Sequence, residues 1–185
     1  FYDKFAPDWM KNISEEEAKQ KLEKRIREIA EHYREKMFEV EVTNELFCVH
    51  DRQTALGSSR DIINWCFETA RKYFPKDQLT INETNPIPDI AKLDYYSSYF
   101  MLCDSLLKQG VSIDRIGLQN HQFTGVSAQT PEEYEKDVLN GVIYNDAEMY
   151  FKALDVMAEL GKPLEITEVT VPTFGETEEY EELQA

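Results

Sequence analysis

Cysteine, glycine and long apolar runs are scarce in this sequence. It has three cysteines and seven glycines among 185 residues. Cys48, Cys66 and Cys103 are widely spaced and form no CxxC pair, so neither a zinc knuckle nor a redox motif is indicated, and we expect three buried thiols. No apolar run approaches the roughly 20 residues of a membrane span, and the sequence has no Gly-rich phosphate loop.

Positive charge is also in short supply. The chain has 20 lysines and arginines against 36 aspartates and glutamates, which gives a formal net charge of −16. Nucleic acid and anionic membrane surfaces are therefore disfavoured as partners, because no basic stripe offsets the repulsion between the chain and their phosphates. A neutral or cationic substrate is compatible with this charge.

The sequence does contain enough apolar material for a folded domain. Hydrophobic residues make up 42% and aromatic residues 12% of the chain, as in a globular protein with a core. We predict that residues 1–185 form a single domain. The chain begins inside an aromatic and proline-rich segment at 1–10, so we expect a fragment or a processed chain.

Four short strand-like segments each end in polar residues. The predicted strands are 38–44, 79–82, 113–120 and 164–169. Because helical patterns lie between them, the sheet is expected to be parallel with right-handed crossovers. The spacing suits the βα unit of a (β/α)₈ TIM barrel, which takes about 30 residues or a little more. Four strands alone would leave two bare edges, so we predict an α/β fold that is about half of a larger barrel.

The helix ends are predicted from capping signals. Ser14 and Glu17 form a capping box, and Gly110 and Gly161 are expected to end the third and fourth helices. The helix starts are predicted at Ser14, at Ser58 or Ser59, at Pro88 and at Asn145.

Two glutamates at strand ends are the candidate catalytic pair. Glu45 follows the first strand and Glu168 lies in the last one, and the active sites of such barrels lie at the strands' C-terminal ends. Glycoside hydrolysis needs one protonated carboxyl that donates to the leaving oxygen and one ionised carboxylate that acts on the anomeric carbon. Asn44 is expected to donate to a sugar hydroxyl, and His121 to hold one carboxylate in place.

Neighbouring residues leave alternatives open. Glu83 is either a third carboxylate that tunes the pair or a structural hydrogen-bond acceptor. His50 is expected to be a plain loop residue, and Trp9 either a sugar-stacking platform or an anchor. A divalent metal bound by the strand-end glutamates and His121 is the competing chemistry, but no HxH or HExxH spacing supports it. We therefore predict no metal and no cofactor.

Taken as a set, the strand-end motifs resemble glycoside hydrolase family 10, the retaining endo-β-1,4-xylanases. The family's acid/base motif WDVVNE corresponds to VEVTNE at 40–45, its GxQxH to GLQNH at 117–121, and its nucleophile motif ITELDV to ITEVTV at 166–171. LTINETN at 79–85 is similar to the family's INDYN stretch, and PDW at 7–9 to its PxW. The motifs occur in the family's order, and the resemblance covers nearly the whole chain.

The resemblance implies a role for each matched residue. Glu45 would be the acid/base and Glu168 the nucleophile. Asn44 would contact the sugar 2-hydroxyl, Gln119 would support the acid/base, and His121 would hydrogen-bond the nucleophile. The predicted substrate-binding residues are Asn44, Asn82, Gln119 and His121.

The chain departs from the family at three of these positions and in its extent. Val40 stands in place of a tryptophan and Glu41 in place of an aspartate, which weakens the support behind the acid/base. Thr84 replaces a tyrosine that lines the aglycone side. The family's first three strands and its eighth strand supply glycone-binding residues that have no counterpart in 1–185, so the chain corresponds to strands four to seven.

The predicted function is retaining hydrolysis of plant cell-wall xylan by double displacement. The alternatives are an inactive or non-catalytic barrel fragment that needs the missing strands, and a related retaining β-glycanase that acts on another polysaccharide. The implied partners are xylan or xylo-oligosaccharide, with the missing barrel half, an inserted carbohydrate-binding module or a second copy of the chain as alternatives for a protein partner. The resemblance also implies a bacterial protein that is secreted or held at the cell surface.

Overall fold

A parallel sheet of four strands forms the centre of the structure. The computed structural model describes residues 6–33, 36–47, 54–57, 59, 61–84, 87, 90, 96–121, 136, 147–170, 178 and 181. The strands are β1 (Glu39–Thr43), β2 (Gln78–Glu83), β3 (Arg115–His121) and β4 (Leu164–Thr170). They pair in the order β1-β2-β3-β4, and each pairing is parallel. The predicted strand direction is therefore confirmed.

Helices alternate with these strands along the chain. The helices whose full length is described are α1 (Glu15–Tyr33), α2 (Ile62–Tyr73), α3 (Ser98–Lys108) and α4 (Ala147–Ala158), and a short 3₁₀ helix at Asp8–Met10 precedes them. One helix comes before each strand, which is the βα alternation that the sequence predicts. The order of these elements confirms the α/β class.

The two faces of the sheet differ in chemistry. Leu79, Ile81, Ile116 and Leu118 are completely buried in one core with apolar residues of the helices, among them Phe67 of α2. Successive side chains of a strand point to opposite faces, so the polar residues between these positions lie on the other face. The candidate catalytic and binding residues therefore share the face that is turned away from the helices.

The helix starts confirm one prediction and correct another. The Glu17 backbone N–H donates to the Ser14 hydroxyl oxygen at 3.2 Å, as the capping box predicts. The prediction that Ser58 or Ser59 caps α2 is wrong, because Asp61 occupies the N-cap position without a side-chain cap. The Ser59 hydroxyl instead donates to the Glu15 carboxylate of α1 at 3.0 Å, and Ser58 lies outside the described residues.

Helix α3 begins later than the sequence predicts. Ser97 has an extended backbone and its hydroxyl accepts from the Phe100 N–H at 3.2 Å, so one continuous helix from Pro88 is wrong. Pro88 lies outside the described residues. The predicted end is confirmed, since Gly110 has φ 81° and donates to Leu107 at 3.0 Å. This left-handed conformation suits glycine because it has no Cβ.

Each outer strand of the sheet carries one extra residue. The register of β1 against β2 shifts between Glu41 and Thr43, which leaves Val42 as the extra residue. The register of β4 against β3 also shifts, and it leaves Thr167 as the extra residue directly before Glu168. Such a bulge bends the strand and changes the direction of the side chains that follow it. Both bulges lie just before a candidate catalytic glutamate.

Both edges of the sheet are open within the described part of the chain. There, β1 pairs only with β2, and β4 pairs only with β3. Apolar side chains flank these edges, with Phe38 67% exposed before β1 and Val169 58% exposed on β4. Unpaired backbone groups along an edge can bond to another strand. The sheet therefore has the edges that a partial barrel must have.

The cysteines that the structure describes are free and buried. Burial raises the pKa of the Cys66 thiol to about 11 and that of the Cys103 thiol to about 12. Neither thiol is a reactive thiolate at neutral pH. Buried thiols are confirmed at these two positions, and Cys48 lies outside the described residues. In the same part of the chain, none of the helices combines the length and the apolar character that a membrane crossing requires.

Candidate active site

The predicted site residues meet at the C-terminal ends of the four strands. A continuous row of side-chain hydrogen bonds runs from Glu168 through Asn82, Asn44 and Gln119 to Glu45. The four donor–acceptor distances, in that order, are 3.1, 3.1, 3.0 and 3.1 Å. The sheet thus joins two carboxylates that are far apart in sequence, one at each outer strand.

The Glu168 carboxylate has a hydrogen-bond partner at each oxygen. Its Oε1 accepts from Asn82 Nδ2 at 3.1 Å, and its Oε2 lies 3.2 Å from His121 Nε2. The side chain is partly exposed, so the carboxylate is oriented by the protein and still reachable from solvent. The bulge at Thr167 is what brings Glu168 to this face of the sheet.

Glu45 occupies a strained backbone position two residues after the end of β1. Its φ of 52° lies in the left-handed region, which costs a non-glycine residue about 1–3 kcal/mol and persists only where the surroundings hold it. Its backbone N–H donates to the Asn82 carbonyl at 3.3 Å, and its carboxylate accepts from Gln119 Nε2 at 3.1 Å. Backbone and side chain are thus fixed by β2 and β3, and such strained residues cluster at functional sites.

Asn82 lies beneath the other site residues and not at the surface of the site. The sequence predicts it as a substrate contact, but its side chain is completely buried. Its Oδ1 accepts from Thr167 at 2.7 Å, and its Nδ2 lies 3.0–3.1 Å from acceptors of Glu41, Asn44 and Glu168. Both polar atoms of the Asn82 side chain therefore contact other site residues.

Gln119 and Asn44 differ in what they leave for a ligand. Gln119 is completely buried and donates to both Asn44 and Glu45. Its Oε1 has no hydrogen-bond partner among the described residues. Asn44 is partly exposed and its Oδ1 accepts twice, from Asn82 and Gln119, so its Nδ2 hydrogens remain for a sugar hydroxyl.

Glu83 is a structural acceptor in this structure. Its buried carboxylate accepts from the Phe47 N–H at 3.1 Å and from the Thr84 N–H at 2.8 Å. Burial raises the pKa of Glu83; backbone N–H groups oppose the rise, and the nearby Glu45 charge adds to it. Of the two alternatives, the structural hydrogen-bond acceptor matches these contacts, because Glu83 holds the turn that follows Glu45 through the Phe47 N–H.

Glu41 is a site residue that the sequence analysis names only as a departure from the family motif and not as a member of the site. Its Oε2 accepts from Asn82 Nδ2 at 3.0 Å, so it shares this donor with Glu168. Loss of hydration raises the pKa of the Glu41 carboxyl, and the Glu168 charge raises it further. The alternation of side chains along β1 could have identified Glu41. It places Glu39 and Glu41 on the face opposite Val40 and Val42, which is the face that carries the site.

A second polar layer lies at the other end of the strands. Glu39 of β1 accepts from the Thr80 hydroxyl, and Arg115 of β3 forms an ion pair with Glu165 of β4. Burial and then a hydrogen bond with Glu39 raise the pKa of Glu165, while Arg115 lowers it. The face that carries the site is therefore acidic along its whole length.

Folding stability is expected to decrease as the pH rises above about 4.5. Glu41, Glu83 and Glu165 have raised pKa values in the fold, so the folded chain binds more protons than the unfolded chain above the ordinary carboxyl value of 4.5. Their stabilising contribution is full below that value and is lost as the pH rises through their folded pKa values. Denaturant unfolding at a series of pH values from about 4.5 to 8 measures this slope.

Glu41→Gln is expected to flatten that slope, because the amide no longer titrates. The exposed Glu31→Gln on α1 is the matched control and should leave the slope unchanged. A stability that rises with pH across this window would contradict the assignment of raised pKa values.

Gly117→Ala is expected to destabilise the fold by about 1–3 kcal/mol through overpacking. A Cβ there would lie 2.7 Å from Asn82 Oδ1 and 2.8 Å from Thr167 Cγ2. Gly110→Ala is the control. Its Cβ would meet no atom within 4 Å, so the only expected cost in stability is that of placing alanine at a φ of +81°. Denaturant titration gives the stability of both variants.

The NMR signals of the Asn82 side-chain amide provide a second test of this packing. They should shift in Gly117→Ala and keep their positions in Gly110→Ala. Unchanged Asn82 signals in both variants would contradict the close contact between position 117 and Asn82.

The remaining candidates lie apart from this row of hydrogen bonds. Trp9 is 52% exposed, and the Lys21 ammonium lies 5.3 Å from its ring centroid, which places it beside α1. His50 lies outside the described residues. Within the described ranges, no group of three or more His, Cys, Asp or Glu side chains is arranged to hold a metal ion.

Sequence comparisons match the chain to a family of hydrolases. The family model of glycosyl hydrolase family 10 matches residues 2–185. Endo-1,4-beta-xylanase B of Cellvibrio japonicus is 26% identical over 97% of this chain, and endo-1,4-beta-xylanase A of Halalkalibacterium halodurans is 31% identical over 55% of it. The alignments cover 25% and 26% of those two proteins, so the chain spans about a quarter of their length.

Solved structures share the fold. The intracellular xylanase TsXylA of Thermoanaerobacterium saccharolyticum gives a TM-score of 0.71 at 19% identity, over 97% of this chain and 54% of that one. A mutant protein solved in complex with xylotriose gives a TM-score of 0.70 at 22% identity, over 98% of this chain and 56% of that one. The chain thus has the arrangement of about half of each structure, which confirms the predicted partial barrel.

Proposed function

This chain belongs to glycosyl hydrolase family 10, and we propose that it supplies both catalytic carboxylates of a retaining endo-β-1,4-xylanase. The observation that carries the proposal is the row of hydrogen bonds that links Glu168 to Glu45. It gives the two carboxylates different surroundings, as a nucleophile and an acid require. Glu168 has one hydrogen-bond partner at each oxygen, Asn82 and His121, whereas Glu45 lies at a strained backbone position beside Gln119.

In the proposed first step, Glu168 attacks the anomeric carbon while Glu45 donates its proton to the leaving glycosidic oxygen. The bond from the sugar to the leaving group breaks, and a bond from the sugar to Glu168 forms. In the second step, Glu45 takes a proton from water, whose oxygen displaces Glu168. The configuration is retained because the anomeric carbon is inverted twice, and this route needs carboxyl groups about 5–5.5 Å apart.

Asn44 and the acidic character of the site support a neutral sugar as the substrate. The Nδ2 hydrogens of Asn44 are suited to donate to a hydroxyl of the sugar bound next to Glu168. Xylotriose is the ligand in one of the structures of similar fold, which supports xylan or xylo-oligosaccharide as the substrate class. The substrate is a cell-wall polymer, so we also propose that the protein acts outside the cell.

We propose that residues 1–185 are one incomplete catalytic domain whose open edges are closed by the missing barrel half. The face of the sheet that is turned away from the helices is the inner face of the partial barrel. It carries four glutamates, Glu39, Glu41, Glu165 and Glu168, and one of its described cations is Arg115. Two copies of the chain would bring two acidic faces together, which costs Coulomb energy. A complementary half that carries basic inward residues fits better than a second copy, and an inserted carbohydrate-binding module would not close the edges.

Release of reducing sugars from xylan tests the proposal. We expect the 185-residue chain to be inactive alone and the completed barrel to be active. If neither is active, the chain is a non-catalytic fragment. The open edges of the sheet are compatible with that outcome as well. A panel of xylan, cellulose and galactan separates a xylanase from a related β-glycanase, and the anomer first released reports retention.

A further inference from the structure

We propose that Thr170 is a positioning residue that holds the His121 ring in its Nε2–H form, so that His121 donates to Glu168 as a neutral group. The proposal deepens the function proposed above. It rests on that function only where Glu168 is taken to be the nucleophile. The geometry comes from the outer strands of the site. His121 Nδ1 lies 2.9 Å from Thr170 Oγ1, and His121 Nε2 lies 3.2 Å from Glu168 Oε2.

The partners of the ring select its tautomer. An ionised carboxylate only accepts hydrogen bonds, so a proton is favoured on the nitrogen that faces Glu168. The opposite tautomer would turn the Nε2 lone pair toward the carboxylate and lose that bond. With the proton on Nε2, the other nitrogen is an acceptor, and it needs a donor.

The Thr170 hydroxyl is suited to be that donor. A hydroxyl can donate or accept, so it completes the Nε2–H form without requiring a second proton on the ring. A carboxylate at the same place would accept only, and it would favour a proton on Nδ1 as well. The residue at this position therefore sets whether Glu168 faces a neutral imidazole or an imidazolium.

The register of the sheet keeps these groups in line. His121 pairs with Thr170 across the two strands, and Gln119 pairs with Glu168. The extra residue Thr167 lies before this stretch, so Glu168 and Thr170 fall on the same face. The ring is thereby bound at both nitrogens by one strand, which fixes its plane as well as its tautomer.

Nitrogen-15 NMR of the histidine ring tests the proposal in the 185-residue chain itself. The chain has three histidines, and His121→Gln identifies the signals of His121. At about pH 8, we expect a protonated Nε2 and an unprotonated Nδ1 that shows the shift of a hydrogen-bond acceptor. A protonated Nδ1 would overturn the proposal.

Variants at position 170 separate positioning from packing. Thr170→Val keeps the shape of the side chain but removes the hydroxyl donor, so it should shift the Nδ1 signal away from its position in the parent chain, whereas Thr170→Ser should restore it. Thr170→Asp should protonate both nitrogens at the same pH, and the uncharged Thr170→Asn should not. Identical Nδ1 shifts in the parent chain and in Thr170→Val would overturn the proposal.

Activity of the completed barrel provides the second measurement. We expect Thr170→Val to lower kcat by roughly tenfold with KM unchanged, since a misplaced donor affects the reacting carboxylate more than binding, and Thr170→Ser to recover it. The NMR result does not depend on hydrolysis. If the tautomer is as proposed and xylan is not hydrolysed, the proposed function fails while this inference stands.

Discussion

Replacing Glu168 with glutamine is expected to abolish xylan hydrolysis by the completed barrel, with kcat lowered by roughly 10⁴-fold or more. The amide has nearly the shape of the carboxylate but cannot attack the anomeric carbon. Asn82 can still donate to the side-chain oxygen, so the fold should persist. The loss should therefore appear in kcat, while binding of xylo-oligosaccharide changes little.

Steady-state release of reducing sugars measures this effect, and denaturant unfolding checks that the variant is folded. Glu31→Gln is the matched control, since it makes the same chemical change on the exposed face of α1, where Glu31 lies 3.9 Å from Arg27. It should leave kcat unchanged. A fully active Glu168→Gln protein would show that another group is the nucleophile.

Replacing Glu45 with glutamine is expected to slow the hydrolysis of xylan by about 10²–10⁴-fold, the usual contribution of a positioned general acid. The size of the loss should depend on the leaving group. An aryl xyloside with an acidic phenol needs little protonation, so its first step should be nearly as fast as in the parent protein. The second step should become slow for both substrates, because water then has no general base.

A burst of phenol followed by slow turnover would therefore identify Glu45 as the acid/base. Azide added to Glu45→Ala should speed the second step, since an anionic nucleophile needs no base, and should give a glycosyl azide of retained configuration. An equal loss on xylan and on the aryl xyloside, without a burst, would contradict the role given to Glu45.

Alternation of strands and helices carried most of the fold prediction. Each β-branched segment is followed by a helical stripe, and this pattern alone leads to a parallel sheet with polar residues at one end. The helix starts were less secure, because Ser59 and Ser97 carry similar local signals. The Ser59 hydroxyl donates to a carboxylate on α1 instead of capping α2. Ser97 caps the helix whose start the local sequence predicts at Pro88.

The candidate pair was predictable, but the arrangement behind it was not. Nothing in the sequence marks Val42 or Thr167 as extra residues, because a register shift depends on the partner strand. Without the shifts, strict alternation cannot place Thr167 and Glu168 on the same face. The burial of Asn82 and its three acceptors likewise follow from packing between strands, which a single segment does not encode.

The order of the strands has a consequence for how the site is assembled during folding. Each strand pairs with the one before it in the chain, so the sheet can grow one βα unit at a time through contacts of modest sequence separation. The two carboxylates are the exception, since Glu45 follows the first strand and Glu168 lies on the last. Their hydrogen-bonded connection uses residues at the ends of all four strands, so it can be complete only when every strand is in place, and an intact site reports that all four units have folded.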